Sequence, residues 1–267
     1  MKPSRAIHLL LALFAASVIS ANLHAEGIRK FDLRTIEKLG SAIYEQDIRA
    51  AQATDILFSK KKRADLEKEG LCGWIVEGEA PQMTVLFLRQ NGGKLEAAYT
   101  IKFSKTQKPV LEKCADSTVT ERQRALYAAR TLALKNIKRP CSKSCNIVTL
   151  PDPERDGFLV YALAATTEPN AVLVGGHYRF TISKDGTRIE QADELFKSCL
   201  ILSKKPKDLP PGATLTALTM STVIDDKPQE THVYLNLLHK LNFYVIATSN
   251  NSMWLIQKGK ISPMTKG

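Results

Sequence analysis

Apolar positions recur along this chain in two different rhythms. Between residues 31 and 58 they fall at Ile36, Leu39, Ile43, Ala50 and Leu57 with polar residues between them, which puts one stripe on a helix. Gly40 lies inside that stripe and offers a break into two shorter helices. The charged run Ser59 to Gly70 should let the helical pattern fade. The rhythm then shortens to two. Trp74–Val76 and Met83–Leu88 are short β-rich runs, and Asn91-Gly92-Gly93 is a turn signal. Ala98–Phe103 alternates, with Tyr99, Ile101 and Phe103 on one face, and Val110–Glu112 would close the hairpin.

A second helix is predicted over 118–137. Thr118 and Glu121 have capping-box spacing, Leu126, Ala129, Leu132, Ala133 and Ile137 supply the stripe, and Arg139-Pro140 ends it. From Asn146 onward the pattern is almost wholly β. The expected strands are Ile147–Leu150, Phe158–Ala164, Ala171–Val174, Tyr178–Ser183, Thr187–Gln191, Thr214–Val223, His232–His239, Phe243–Thr248 and Met253–Gln257. Asp185-Gly186 is a tight-hairpin signal, Pro206–Gly212 a surface loop, and Ser262–Gly267 a weakly ordered tail. The class is therefore α+β, two helices packed on antiparallel sheet with a β-rich C-terminal half.

Two stretches resemble each other. Gly73-Trp-Ile-Val76 matches Gly157-Phe-Leu-Val160, and the strand at Tyr99 matches that at Tyr178, both as Tyr-x-apolar-x-apolar-Ser-Lys or close to it. The match raises a duplicated helix-plus-hairpin unit, with 71–114 equivalent to 155–199, against chance likeness of alternating strands.

The first 25 residues follow a different pattern. Lys2 and Arg5 precede an apolar run from Ala6 to Ile19, and small residues stand at Ala21 and Ala25. This is the pattern of a secretory signal peptide over 1–25, cleaved after Leu23-His24-Ala25. The run is shorter than the ~20 residues that span a bilayer. The expected organisation is signal peptide 1–25, N-terminal helix and strands 26–116, and second helix with sheet 117–267, the last two forming one continuous domain or two.

Export changes how charge and cysteine are read. Loss of Lys2 and Arg5 takes the net charge from +11 to about +9. The excess is lysine in scattered clusters such as Lys60–Arg63 and Lys204–Lys207, without interleaved aromatic residues. Nucleic acid is a poor fit, and an acidic protein partner is the better one. Five cysteines are an odd number, so at least one thiol is free or pairs between chains. Cys141 or Cys145 bridged to Cys199 is the expected disulfide, with free buried thiols as the alternative.

The usual catalytic signatures are missing. The sequence holds no Gly-x-Ser-x-Gly elbow, no His-Glu-x-x-His, no phosphate loop and no dinucleotide fingerprint, and no cofactor or metal is expected. Asp152, Glu154 and Asp156 alternate as in a calcium loop but lack its distal glutamate, so they read as a polar loop, and Asp225-Asp226 as a turn. A Cys–His nucleophile pair such as His177 with Cys199 is left open by the composition, because such pairs meet in space, and nothing in the sequence selects it. His232 and His239, on one predicted strand, would face opposite sides. The aromatic set, Trp74 and Tyr99 through Trp254, reads as packing.

The stretch from Arg139-Pro-Cys141 through Ala162–Thr167, Gly175-Gly-His-Tyr178 and Lys197-Ser-Cys199, with the terminal His232–Trp254 segment, resembles uncharacterised exported proteins of Gram-negative bacteria. That resemblance implies a periplasmic address and brings no activity or catalytic residues. The leading expectation is a non-enzymatic periplasmic binding protein of the inhibitor or immunity type. The alternatives are a hydrolase of wall or peptide substrates and an envelope-maintenance factor, and the oligomeric state is left open.

Overall fold

The computed structural model describes residues 27–207, 210 and 212–264. The expected signal peptide, part of the Pro206–Gly212 loop and residues 265–267 lie outside the described residues. The chain opens with α1 (Leu33–Lys60) and α2 (Arg63–Lys68), followed by an antiparallel meander of β1 (Leu71–Glu79), β2 (Gln82–Asn91), β3 (Lys94–Phe103) and β4 (Leu111–Lys113). Next come α3 (Glu121–Lys135), β5 (Ser144–Pro151), β6 (Phe158–Ala165), β7 (Ala171–Leu173), β8 (Tyr178–Ile182) and β9 (Ile189–Glu194). Strands β5, β6, β8 and β9 pair in that order as a second sheet, and β7 leaves it to pair with β10 (Ile201–Ser203). The third sheet runs β11 (Ala217–Thr222), β12 (Asn242–Ala247), β13 (Ser252–Gln257), β14 (Lys260–Met264). Its first two strands are parallel, connected by α4 (Glu230–His239).

The α+β class and the β-rich second half are as the patterning predicts, while the parallel pair β11–β12 and the helix α4 are not. The pattern predicts a strand over His232–His239, because Val233-Tyr-Leu-Asn-Leu-Leu238 is nearly all apolar, β-branched or aromatic, whereas the structure has helix from Glu230 to His239. A helix buried on most sides loses its amphipathic period, and Glu230 through Asn236 are all buried. Ser262–Met264, expected in a loose tail, close the third sheet as the end of β14.

Helix α1 organises the layers. Asp32 caps it by accepting the Thr35 N–H at 2.7 Å. At 28 residues it is about 42 Å long, enough to reach two cores. Ile36, Leu39 and Ile43 enter the core between the second and third sheets, while Ala53 and Leu57 enter the core on the outer face of the first sheet. Helix α3 fills the space between the first two sheets through Ala125, Leu126, Ala129 and Ala133. The second sheet is thus covered on both faces. Strand β6 shows this in its sequence: Phe158, Val160 and Ala162 face the α3 core, and Leu159, Tyr161 and Leu163 face the α1 core.

Three local expectations need correction. Helix α1 does not break at Gly40. That glycine lets α4 approach, since a Cβ there would lie 2.5 Å from the Val233 Cβ and 2.7 Å from the Glu230 carbonyl oxygen. The cap of α3 is Thr120, whose hydroxyl accepts the Gln123 N–H while Gln123 accepts the Thr120 N–H. Thr118 instead donates its N–H to Asp116. The proposed equivalence of 71–114 and 155–199 also fails. Strands β1 and β3 flank β2, whereas β6 and β8 pair directly. The tyrosine strands do hold the same third place in their sheets, but Gly73 lies in the first strand of its sheet and Gly157 just before the second strand of the other.

Helix propensity alone says that Gly40→Ala stabilises α1 by up to about 1 kcal/mol. The contact with Val233 and Glu230 predicts the opposite sign, a loss of about 1–3 kcal/mol in urea unfolding.

Candidate functional site

The polar interior is built by strand register. Tyr161, Arg179 and Asp193 stand opposite one another on β6, β8 and β9, so their side chains form one row on the face of the second sheet that meets α1 and α4. Arg179 donates through Nε and Nη2 to Asp193 Oδ2 at 3.0 and 2.6 Å, and through Nη1 to Glu230 at the start of α4. Tyr161 donates to the same Glu230 oxygen at 2.9 Å. Arg179 also donates to the Arg29 carbonyl oxygen.

The segment before α1 enters this row. Arg29 holds both carboxylate oxygens of Asp152 and donates to Glu154 at 2.7 Å, while its N–H reaches Asp193 at 3.3 Å. The Phe31 ring lies 4.8 Å from the Arg29 guanidinium carbon and 4.9 Å from that of Arg179. Asp152 bonding raises Arg29 above the ordinary guanidinium value against the effect of burial. For Arg179 burial also opposes the charge, and Glu230, Tyr161 and Asp193 override it. Burial works to raise the Asp152 carboxyl, and Arg29 brings it below its ordinary value. The acidic loop therefore holds an internal cation: Asp152 and Glu154 grip Arg29, and Asp156 pairs with exposed Lys184 at 3.3 Å. Asp225 belongs to a turn but is buried and holds Lys30 at 3.2 Å.

Among the described residues, no histidine hydrogen-bonds to a cysteine, serine or carboxylate side chain. His177 is buried, its Nδ1 accepting the Ala164 N–H at 3.1 Å and its Nε2–H donating to Leu173 O at 2.9 Å. Its proposed partner Cys199 is bridged to Cys141. Of the candidate cysteines, Cys145 stays free, its thiol pushed up to about 11 by burial. Gly175 and Gly176 pack against this bridge region, and a Cβ on Gly176 would lie 2.5 Å from the Cys141 Cβ. His232 is buried on α4, its Nδ1 accepting the Gln229 N–H at 3.0 Å. His239 closes the same helix. Among the described residues, no cluster of three or more His, Cys, Asp or Glu is placed to hold a metal. No helix among them is long and apolar enough to cross a membrane.

Beside the buried charges lies a groove of about 1170 Å³. Its floor is the first half of α1, with Arg34, Lys38 and Ala42. One wall is the β1–β2 turn around Gly78–Ala80, and the other is the end of β5 with Leu150–Asp152. Arg122 and Leu126 of α3 stand between them. Most acids of the groove are occupied. Asp152 holds Arg29, Glu37 takes Lys260 and the Ile261 N–H, both at 2.8 Å, and Glu77 accepts from Gln123 at 2.8 Å. Arg34, Lys38 and Arg122 are exposed and enter no ion pair among the described residues. Glu79, at the end of β1, enters no ion pair among the described residues. Of this groove the sequence offered only its surplus of basic residues.

Burial holds His177 and His232 down at about 4, with His177 adding to the effect on His232. An unfolded chain binds these protons near pH 6.5, so it takes up more protons than the fold between 6.5 and 4, and stability falls as pH drops through that window. Thermal unfolding followed from pH 7 to 4 should show a loss on the order of 3 kcal/mol per histidine. His177→Gln should flatten part of that slope. No family model, curated protein or solved structure matches this chain.

Proposed function

We propose that this chain is an exported, periplasmic, non-catalytic binding protein that receives an acidic, extended segment of a protein partner in the α1–α3 groove. The observation that carries the reading is the trio Arg34, Lys38 and Arg122, three cations without internal partners around one opening. At about 1170 Å³ the opening exceeds the ~300–1,000 Å³ of ordinary small-molecule sites. Strand β1 pairs only with β2, and β5 only with β6, among the described residues. The ends of both strands that reach the groove therefore offer main-chain groups to an incoming strand, and the cations select its charge. An inhibitor or immunity-type protein has this character: a rigid body, a charged docking cleft and recognition by complementarity. The positions of His177, His232 and His239 give the hydrolase reading no support, because none meets a carboxylate or cysteine at a cleft.

A labelled peptide alternating Glu and Val should bind the intact protein, with affinity falling as salt rises. The triple substitution Arg34→Glu, Lys38→Glu, Arg122→Glu should weaken it by at least about tenfold while leaving the melting temperature close to that of the parent. Equal affinity in the triple variant, or tighter binding of a Lys–Val peptide, would sink the reading.

A further inference from the structure

Arg130 lies on α3 one turn beyond Leu126 of the groove, where the helix crosses β1. Its guanidinium carbon stands 4.5 Å from the centre of the Trp74 ring. It makes no ion pair and no hydrogen bond among the described residues, although it is partly buried. Its Nε is shut off from solvent with no acceptor, and so is the neighbouring Trp74 Nε1. The groups that bear on its charge are a phenol and a thiol, Tyr127 and Cys72, and no carboxylate; burial lowers it from the ordinary guanidinium value.

The surroundings are built to hold the guanidinium in place. Tyr127 donates its hydroxyl to the Cys72 carbonyl oxygen at 3.3 Å, fixing α3 against β1. Gly73 has φ of +154° beside a register shift in β1, and a Cβ there would lie 3.2 Å from the Tyr127 ring and 3.5 Å from Arg130 Nη1. Glycine thus leaves the space beside the guanidinium open. The other arginines held away from solvent in the described fold have acids beside them: Arg29 has Asp152, Arg179 has Asp193 and Glu230, and the partly buried Arg49 has Glu45. A partly buried cation with no acid beside it is unfavourable, and Nη1 and Nη2, unlike Nε, are not shut off from solvent, so the component that fits that edge is an anion with acceptor oxygens.

We propose that Arg130, Trp74 and Gly73 form a carboxylate-recognition site filled from outside the chain. A planar carboxylate meets a guanidinium edge-on while the indole covers its face. The site is separate from the groove and does not depend on the acidic-peptide reading. The carboxylate comes from a small organic acid or from an acidic side chain of a partner, and the two sources separate by experiment.

The chain has two tryptophans, so Trp254→Phe leaves Trp74 as the sole indole reporter. In that background, at fixed ionic strength, acetate and a Glu-containing tripeptide are titrated with inorganic phosphate and chloride as comparators. The expected result is a saturable change in Trp74 emission with acetate, absent in Arg130→Gln. Arg130→Lys, which keeps charge without the fork, should bind about tenfold more weakly. A tripeptide that binds about tenfold tighter than acetate assigns the site to a partner's side chain, and equal affinity assigns it to a small acid. Emission unchanged by acetate and tripeptide would mean that a bound water satisfies the donors, and the proposal fails. It fails equally if phosphate and chloride act as acetate does, or if Arg130→Gln keeps the response. Should Arg130→Gln not fold, the Arg130→Lys comparison decides alone.

Discussion

The structure depends on a desolvated pair of arginines. Arg29 and Arg179 are the two fully buried cations of the described fold, and neither would be tolerated there without Asp152, Asp193 and Glu230. These groups come from the segment before α1, from three strands or loops of the second sheet, and from the start of α4. Because each partner needs the others, the network fixes the mutual position of elements that share few other polar contacts. Phe31, set between the two guanidinium groups, ties the network to the hydrophobic core beneath it.

Around that point the layers follow from packing. Helix α1 is long enough to serve two cores, and Gly40 brings α4 against it closely enough to bury the start of α4. Tyr234 of α4 then donates to Asp47 of α1 at 2.9 Å, and burial raises that carboxyl above its ordinary value. The second sheet, covered on both faces, leaves no strand with free alternation except at its edges. The groove arises where α1, α3 and two strand ends meet without filling the space between them.

Much of this was legible in the sequence. The period of Ile36, Leu39 and Ile43, the alternation through Tyr99–Phe103 and the turn residues at Asn91–Gly93 and Asp185-Gly186 act through local geometry, and they predict α1, β3 and both turns. One member of the disulfide was correctly Cys199, and the choice between Cys141 and Cys145 depended on a fold that places Cys141 against Gly176. What depends on three-dimensional neighbours was not legible. Thr118 and Thr120 both have capping spacing, and only the turn at Asp116 decides between them. Helix α4 looked like a strand because burial had erased its polar face. Arg29 and Arg179 carried no signal at all, since a basic residue in a loop or on a strand is normally read as solvent-facing. The groove cations were visible as charge and invisible as a cluster.

The central claim is that the arginine network holds the fold together through mutual neutralisation. Urea unfolding of Arg29→Met tests it most directly when set beside the double variant Arg29→Met with Asp152→Asn. Removing Arg29 alone leaves a buried carboxylate unpaired and should cost about 3–5 kcal/mol, while neutralising Asp152 as well should restore most of that loss. A single variant that loses less than about 1 kcal/mol, or a double variant no better than the single, would contradict the account.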